Sequence, residues 1–547
     1  MMSNLFNVGL RLFDGFVFGE IVPQENIAAA IQRKNYWCSR IYLRSAAIFI
    51  GAMGVFCVAS LAQQASPEIP KAQQVTPSGR TQSGGAQVQQ SSNTTGSSAT
   101  TNTVNSTIQV SAPYQGSIRD PNAANGPLTL NIADAIQRGL RFNLGTVSAS
   151  SSVRQLRGER LAALSQMLPN IYGTLSETGS KLDLQAEGIT GAVLGPSVPT
   201  TVGPFHYYSA FANLSENVSM TSLHNWRGAK AAADAAQMSA KDAREIIILA
   251  VSGTYLQILA SQANVLSQES QVKEAGATFR QSEREYQAGT KPVIDRNRSF
   301  VQFHTEQQRL TSLRADLVKQ FMQLARLIGL PVTQVLTLSE ELPADVPQAV
   351  PVEEAVKLAM ENRSDLKAAR MQLKAAQEAH KASKAEYLPS LGISGYYGLQ
   401  GINPDKGVSV FQAAGTINIP IFQSGRVKAD IEQADAAVSQ RQAEYDDEMG
   451  AVELDVRESY VDLQVAKEQI EVAAQNRKIA AETLSESLDR FAAGVTNSVE
   501  VVQSQETVAS AERDYVSSLF TLNLARIRLA RAIGLAEQFI PNMLKGN

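Results

Sequence analysis

Two stretches of this chain follow one plan, and the plan combines helices of unusual length with short alternating segments. In each, an amphipathic helix ends in Leu-Pro (Leu168-Pro169 and Leu388-Pro389) and alternating segments follow. A long proline-free stretch then runs to a lone glycine (Gly289 and Gly494), and a second helix closes on Ile-Gly-Leu (Ile328-Gly329-Leu330 and Ile533-Gly534-Leu535). Tyr255 and Tyr460, Gly289 and Gly494, and Ile328 and Ile533 each stand 205 positions apart. A constant offset marks one ancestral unit used twice. The repeats are assigned to residues 127–345 and 346–547.

The helices set the dimensions. Residues 227–289 contain no proline and place apolar or small residues every three or four positions, which at ~1.5 Å per residue predicts a rod of ~95 Å. In the second repeat, Val427, Ile431, Ala434, Val438, Tyr445, Val452, Val456, Leu463, Ala466, Ile470, Ala474, Ala481, Leu484, Leu488 and Phe491 trace a seam of similar length. Residues 133–167 and 295–328, each read as one helix, would match a long helix if stacked end to end. Faces rich in alanine, such as Ala229, Ala231 and Ala233 or Ala434, Ala436 and Ala437, let helices approach closely. They suit a curved wall that needs neighbours better than a self-sufficient bundle.

The N-terminal residues read differently. Arg33, Lys34, Arg40 and Arg44 lead into an apolar stretch over 46–58, and Ser60-Leu61-Ala62 has the small-x-small pattern of a cleavage site, so residues 1–62 are expected to be a signal sequence, extended or begun at an early start codon. A membrane anchor is the alternative, and the shortness of the apolar stretch argues against it. Cleavage would remove Cys38 and Cys57, the only cysteines, and Gly54-Val55-Phe56 lacks the small residues of a lipoprotein box. What remains has 44 Lys and Arg against 49 Asp and Glu, a net charge of −5, which leaves no basic footprint for nucleic acid. Residues 63–126 are expected to be a disordered linker, because 82–107 are nearly all Ser, Thr, Gln, Asn and Gly.

Past residue 62 no continuous apolar run is long enough to span a bilayer, so any spanning must be done by strands. Val410, Gln412, Ala414, Thr416 and Asn418 fall on one face of an alternating segment and Phe411, Ala413, Gly415, Ile417 and Ile419 on the other, an approximately polar-in, apolar-out pattern. Residues 391–400 are its expected partner, and 170–185 with 205–219 make a second hairpin around a longer loop. Tyr172, Tyr207, Tyr208, Phe211, Tyr396, Tyr397, Phe411 and Phe422 suit either interfacial girdles or core packing. Four strands cannot close a transmembrane barrel, whose minimum is about eight, so a spanning chain must associate as a dimer or trimer.

This layout resembles the TolC-like outer-membrane efflux protein family from Leu128 to Gly534. The resemblance is carried by the paired helix openings (Leu130-Asn131-Ile132-Ala133-Asp134 and Val352-Glu353-Glu354-Ala355-Val356), the two Leu-Pro sites, Ile419-Pro420-Ile421-Phe422 and Arg490-Phe491-Ala492-Ala493-Gly494. It implies a mostly α fold with a small β part. Duplicated long-helix hairpins would form a helical tunnel across the periplasm, and four strands per chain would contribute to a 12-stranded barrel in the outer membrane of a homotrimer. It further implies a passive conduit for small-molecule efflux or type I protein secretion, docking a periplasmic adaptor and an inner-membrane pump. An exported coiled-coil fibre or adhesin stalk would share the long seams but would have no use for duplicated hairpins.

No enzyme is expected. The four histidines (His206, His224, His304 and His380) show no ligand spacing, no phosphate-binding glycine loop is present, and no metal or cofactor is implied. His304 and His380 read as solvated helix positions. The expected functional site is the periplasmic tip and gate: Gly289 and Gly494 reverse the chain, and by resemblance Asp295 and Glu500 are the acidic positions at the start of each return helix. Gln503 stands where a second carboxylate often lies. Asn497 and Glu500 also have capping-box spacing, which would explain Glu500 locally, and Arg296 and Arg298 are near enough in sequence to latch against the acids.

Processing yields a direct test. Intact-mass measurement of protein extracted from outer membranes should show a chain beginning near Gln63 with no lipid adduct. A retained or acylated Cys57 would overturn the assignment of residues 1–62.

Overall fold

The computed structural model describes residues 86–92, 104–111, 113–121, 126–184, 186, 201–344, 350–496 and 498–543. The expected signal sequence with Cys38 and Cys57 lies outside the described residues. The strands are β1 (Ala86–Ser92), β2 (Val104–Val110), β3 (Leu128–Leu130), β4 (Asn170–Asp183), β5 (Thr201–Val218), β6 (Leu336–Leu338), β7 (Ser390–Gly401) and β8 (Val408–Asn418). The helices are α1 (Ile132–Phe142), α2 (Leu144–Ser165), α3 (Met220–Gln287), α4 (Val293–Leu327), α5 (Val352–Asn362), α6 (Ser364–Ala385), α7 (Arg426–Ala492), α8 (Ser498–Ala532) and α9 (Ala536–Met543). Contacts divide the described residues into two units, a small one of Leu175–Ser209 with Gln400–Val408 and a large one holding the rest.

The duplication is written into the element lengths. Helices α1 and α5 both have 11 residues, α2 and α6 both have 22, and α4 and α8 both have 35. The long helices α3 and α7 have 68 and 67, which at ~1.5 Å per residue makes each about 100 Å.

The continuous helix expected over 133–167 is two helices, and residues 352–385 break in the same place. At the first break Asn143 adopts extended backbone and is fully buried; its side chain caps α2 by accepting from Gly145 N at 2.9 Å and donates to the carbonyls of Tyr114 (2.7 Å) and Leu327 (3.3 Å). At the second break Arg363 takes that position, and its guanidinium reaches the Ala532 carbonyl at 3.5 Å while pairing with Asp365 and Asp455. Both residues therefore satisfy a carbonyl that the end of a return helix leaves without an intrahelical partner. The closing glycines fit against the same breaks. Gly329 (φ 80°) would place a β-carbon 2.6 Å from Phe142 Cβ, and Gly534 (φ 74°) one 3.0 Å from the Arg363 nitrogen.

The main core surrounds the middle of α3. Ile247, Ile248, Ala250, Val251, Tyr255, Leu256 and Ile258 are completely buried, against Leu324 and Ile328 from the first repeat and Phe520, Leu524 and Ile527 from the second. This stretch is apolar enough that α3 could pass for a membrane span by composition, but most of it is buried inside the protein, as a core helix requires. Tyr255 ties the core to the short parallel pair β3–β6: its hydroxyl donates to Glu340 at 2.6 Å, and the same carboxylate accepts from Ile132 N at 2.9 Å to cap α1. Along α7, Val452, Val456, Ser459, Leu463, Ala466, Ile470, Ala473, Ala480, Leu484, Ser487 and Phe491 form the buried seam, spaced three and four apart as in a coiled coil except for the step of seven from Ala473 to Ala480. Ala474, Ala481 and Leu488 of the expected seam are instead exposed. Their neighbours Ala473, Ala480 and Ser487 hold the register, which adjacent alanines cannot reveal by composition.

Part of the expected linker is structured. β1 and β2 pair antiparallel with Ala86 opposite Val110 and Ser92 opposite Val104, and Val110 packs on the main core. The tract is poor in apolar residues, but backbone pairing needs none, and Val and Thr favour extended chain.

The remaining strands form one sheet in the order β4-β5-β7-β8, with β4 and β8 as its edges. β5 begins at Thr201, earlier than the alternation suggested. On β8 the expected outward face is the more exposed one: Phe411 is 78% and Ile417 66% accessible, while Val410, Ala414 and Asn418 are partly covered. On β7 the exposed apolar residues Leu391, Ile393, Tyr397 and Leu399 share one face, and Tyr396 on the other lies 4.7 Å from the Phe211 ring.

Replacing Arg363 by Ala should lower the thermal midpoint sharply. Asp365 and Asp455 would lose a guanidinium whose side chain is only 8% exposed, a loss worth about 3–5 kcal/mol, whereas Arg457→Ala at an exposed pair should leave the midpoint nearly unchanged. Equal midpoints for the two variants would contradict this reading of the helix break.

Candidate functional site

Each long helix ends in the same turn. In the first, Gly289 has φ 69°, its N–H bonds to the Tyr286 carbonyl (2.9 Å), and Thr290 N bonds to the Glu285 carbonyl (3.0 Å). In the second, Gly494 has φ 73°, with the matching bonds from Gly494 N to Phe491 O (3.1 Å) and Val495 N to Arg490 O (2.9 Å). These are paired Schellman closures, which occupy carbonyls the helix end would leave open and require a left-handed residue. Nothing lies within 4 Å of a β-carbon built on either glycine, so backbone conformation alone demands glycine there.

Just inside the turns the helices approach through serine. Ser282 and Ser299 pair at 3.0 Å and Ser487 and Ser504 at 2.8 Å, so each buried hydroxyl satisfies its partner at equivalent positions of the two repeats.

The two acids expected at the tip have different surroundings. Asp295 is 9% exposed, and its carboxylate accepts from the Ser498 hydroxyl at 2.6 Å, which joins the start of α4 to the start of α8. Glu500 is more open, with 37% of its side chain accessible. It accepts from the Thr496 hydroxyl and lies 3.6 Å from Arg490, so its contacts stay within its own hairpin. The partner Asn497 of the expected capping box lies outside the described residues.

The arginines divide as well. Arg298 stands 3.9 Å from Asp295, as expected, but Arg296 turns away from both acids. It donates to Glu283 at 2.7 Å and lies over the Phe300 ring, and that hydrogen bond holds the Glu283 carboxyl below its usual range. Gln503 is exposed. His304 is exposed too, yet it packs edge-on against Phe300 at 4.3 Å and is therefore not merely solvated.

Two residues that sequence reasoning did not select complete the tip. Ser498 is the Asp295 partner. Lys291 reaches Glu285 at 3.0 Å and places its ammonium 3.4 Å from the Phe491 ring centre, so the first turn is fastened to the end of α7. Further along, Gln505 donates to Thr278 at 3.1 Å and Gln302 to Glu506 at 3.2 Å. A ladder of polar contacts thus links the first hairpin to the second. Such contacts are exchangeable for water at modest cost. Among the described residues no group of three His, Cys, Asp or Glu side chains is placed to hold a metal ion.

Residues 148–330 and 355–535 match the outer membrane efflux protein family, covering both repeats. The chain is 24% identical over 408 residues to the pyoverdine export outer membrane protein OpmQ of Pseudomonas putida, which is 71% of this chain and 82% of that one. It is 20% identical over 298 residues to the toluene efflux pump outer membrane protein TtgC of Pseudomonas putida, 53% of this chain and 60% of that one. Among solved structures, the Campylobacter jejuni CmeC outer membrane channel superposes with a TM-score of 0.66 at 14% identity, over 76% of this chain and 88% of the channel. The Vibrio cholerae outer membrane protein VceC does so with a TM-score of 0.63 at 19% identity, over 74% and 96%.

Ser498→Ala should leave the buried Asp295 carboxylate without its nearest donor, at a cost of about 1–3 kcal/mol. Hydrogen exchange at 293–299 should quicken while the α3 core stays protected. Unchanged exchange at the tip would show that the bond does not hold the two hairpins together.

Proposed function

The chain belongs to the outer membrane efflux protein family, and we propose on that footing that it is the outer-membrane channel of a tripartite export system. In this reading three copies join their four-stranded sheets into a 12-stranded barrel. Their helices form the periplasmic tunnel, and the tips dock a periplasmic adaptor and an inner-membrane pump. The observation that carries it is the sheet itself: four strands with open edges at β4 and β8, and exposed apolar side chains such as Leu175 (89%) and Phe411 (78%). Such strands suit hydrocarbon only if further copies pair their edges. An unpartnered stripe on α7 (Leu454, Val461, Val465, Val472 and Ile479) supplies a matching surface on the helices. A coiled-coil fibre would account for that stripe and leave the sheet without a purpose.

Small-molecule efflux is favoured over protein secretion as the cargo class, because the relatives named for their cargo export pyoverdine and toluene. The channel itself is a passive conduit, with energy supplied by the pump.

At the tip, Gly289 and Gly494 permit the helix reversals, Asp295 contributes to closure through Ser498, and the more open Glu500 contributes cation preference. Carboxylates gathered in a narrow mouth raise the local cation concentration. Planar-bilayer recording of the purified oligomer should show a cation-preferring channel. The Asp295→Asn, Glu500→Gln double variant should lose that preference and conduct more. Identical selectivity and conductance would make the carboxylates helix caps rather than gate elements. Absence of conductance in both proteins would contradict the channel itself.

A further inference from the structure

Near the start of α3 a cavity of about 370 Å³ lies against α6 and collects positive charge. Arg227 and Lys230 of α3 and Lys374 of α6 line it, and none of the three has an ion-pair or hydrogen-bonded partner among the described residues. Trp226 lines it too, and its indole N–H has no acceptor. The acids are fewer. Glu378 is already engaged by His224 at 2.8 Å and Lys381 at 2.7 Å, and Asp234 stands a turn farther from the helix start than Lys230. Three cations therefore face one unengaged carboxylate, an excess that suits an anion.

The position of the cavity indicates which anion. α3 begins at Met220, directly after β5, and α6 leads into β7. Around the strand ends Leu168, Val218, Met220, Leu388, Ile421 and Phe422 are exposed apolar side chains, at least one beside each of the four strands. Such a band fits the lower edge of a hydrocarbon layer, and a tryptophan with basic residues just beyond it is the pattern of a membrane–water boundary. At ~1.5 Å per residue Arg227 and Lys230 lie about 10 and 15 Å along α3 from Met220. Lys374 is at a matching level, ~16 Å before the end of α6 at Ala385. On α3 the side chains lean back toward the helix start, which brings their charges toward a headgroup layer about 5–7 Å thick.

We propose that Arg227, Lys230 and Lys374, with Trp226, hold the phosphate headgroup of an anionic phospholipid from the leaflet facing the periplasm, on the footing that the sheet is embedded as proposed above. The guanidinium fork can take two phosphate oxygens while the lysines act as point charges. The groove stays open in the assembly. Within a protomer the helices pack in the order α2-α3-α6-α7, which follows the strand order β4-β5-β7-β8, so α2 and α7 meet neighbouring copies and the α3–α6 groove does not. The groove also faces outward. α9 reaches α3 through the Arg244–Glu537 pair, and α1 reaches it at Val251, which leaves no room for a β-carbon on Gly139. Elements packed on the wall of a conduit lie outside it, and Lys230, Arg244 and Val251, spaced in multiples of seven, share one side of α3.

Native mass spectrometry of the membrane-extracted oligomer, delipidated in detergent and then given phosphatidylglycerol, phosphatidylcholine or inorganic phosphate, reads the site and the assembly in one spectrum. Wild type should retain phosphatidylglycerol, and the Arg227→Gln, Lys230→Gln, Lys374→Gln triple variant should bind it about tenfold or more weakly. The three side chains are exposed and unpartnered, so the variant should assemble as wild type does. Lys374→Gln alone should show a partial loss, and a Lys319→Gln, Lys478→Gln control, which removes exposed charges elsewhere, should bind as wild type. Equal phosphatidylglycerol binding by the triple variant, equal binding of phosphatidylcholine by wild type, or displacement of the lipid by millimolar phosphate would overturn the proposal, the last in favour of a free-anion pocket. Any of these on an intact oligomer refutes the headgroup site alone, whereas absence of an oligomer in wild type would overturn the channel reading with it.

Discussion

A strand edge in a bilayer has no water to pair with, and this constraint orders the rest of the structure. The sheet β4-β5-β7-β8 has two edges and an exposed apolar face, so by itself it satisfies neither its outer backbone groups nor its side chains. Closure by further copies resolves both at once. It also explains why two hairpins per chain come from one duplicated unit: each repeat supplies two strands and the helices that run from them.

The helices meet the same need for neighbours in a different way. Buried positions on α7 repeat every three and four residues, and many are alanine or serine, so the backbones approach closely but bury little area per residue. Stability is concentrated instead around α3, where aliphatic side chains from both repeats are fully buried. Toward the tip polar residues (Thr278, Ser282, Asp295, Ser299, Ser498 and Ser504) join the buried set beside Phe491 and Val501, and hydrogen bonds supplement packing. A gradient from an aliphatic core to a polar tip places the least costly separation at the end where the proposed gate lies.

Much of this was legible in the sequence because the governing rules are local. Proline-free stretches with three-and-four spacing revealed the long helices, and lone glycines revealed their reversals, since only glycine takes the left-handed position without penalty. Strand alternation revealed which side of β8 is exposed. The parts that were not legible depend on residues far away in the chain. Asn143 is a favoured N-cap residue, but Arg363 is not, and both breaks are completed by a carbonyl, of Leu327 or Ala532, that only folding brings close. Ser498 and Lys291 looked ordinary because their partners Asp295 and Phe491 belong to the other repeat. The pairing of β1 with β2 escaped notice because backbone bonds leave no mark in composition.

The central claim is that this chain completes its sheet only by association in threes. Native mass spectrometry of the protein extracted from membranes in mild detergent measures that directly. The account predicts a single assembly at three times the mass of the mature chain, with folded monomer absent across a wide dilution range. A folded monomer that persists on dilution, or a dimer as the stable species, would contradict it.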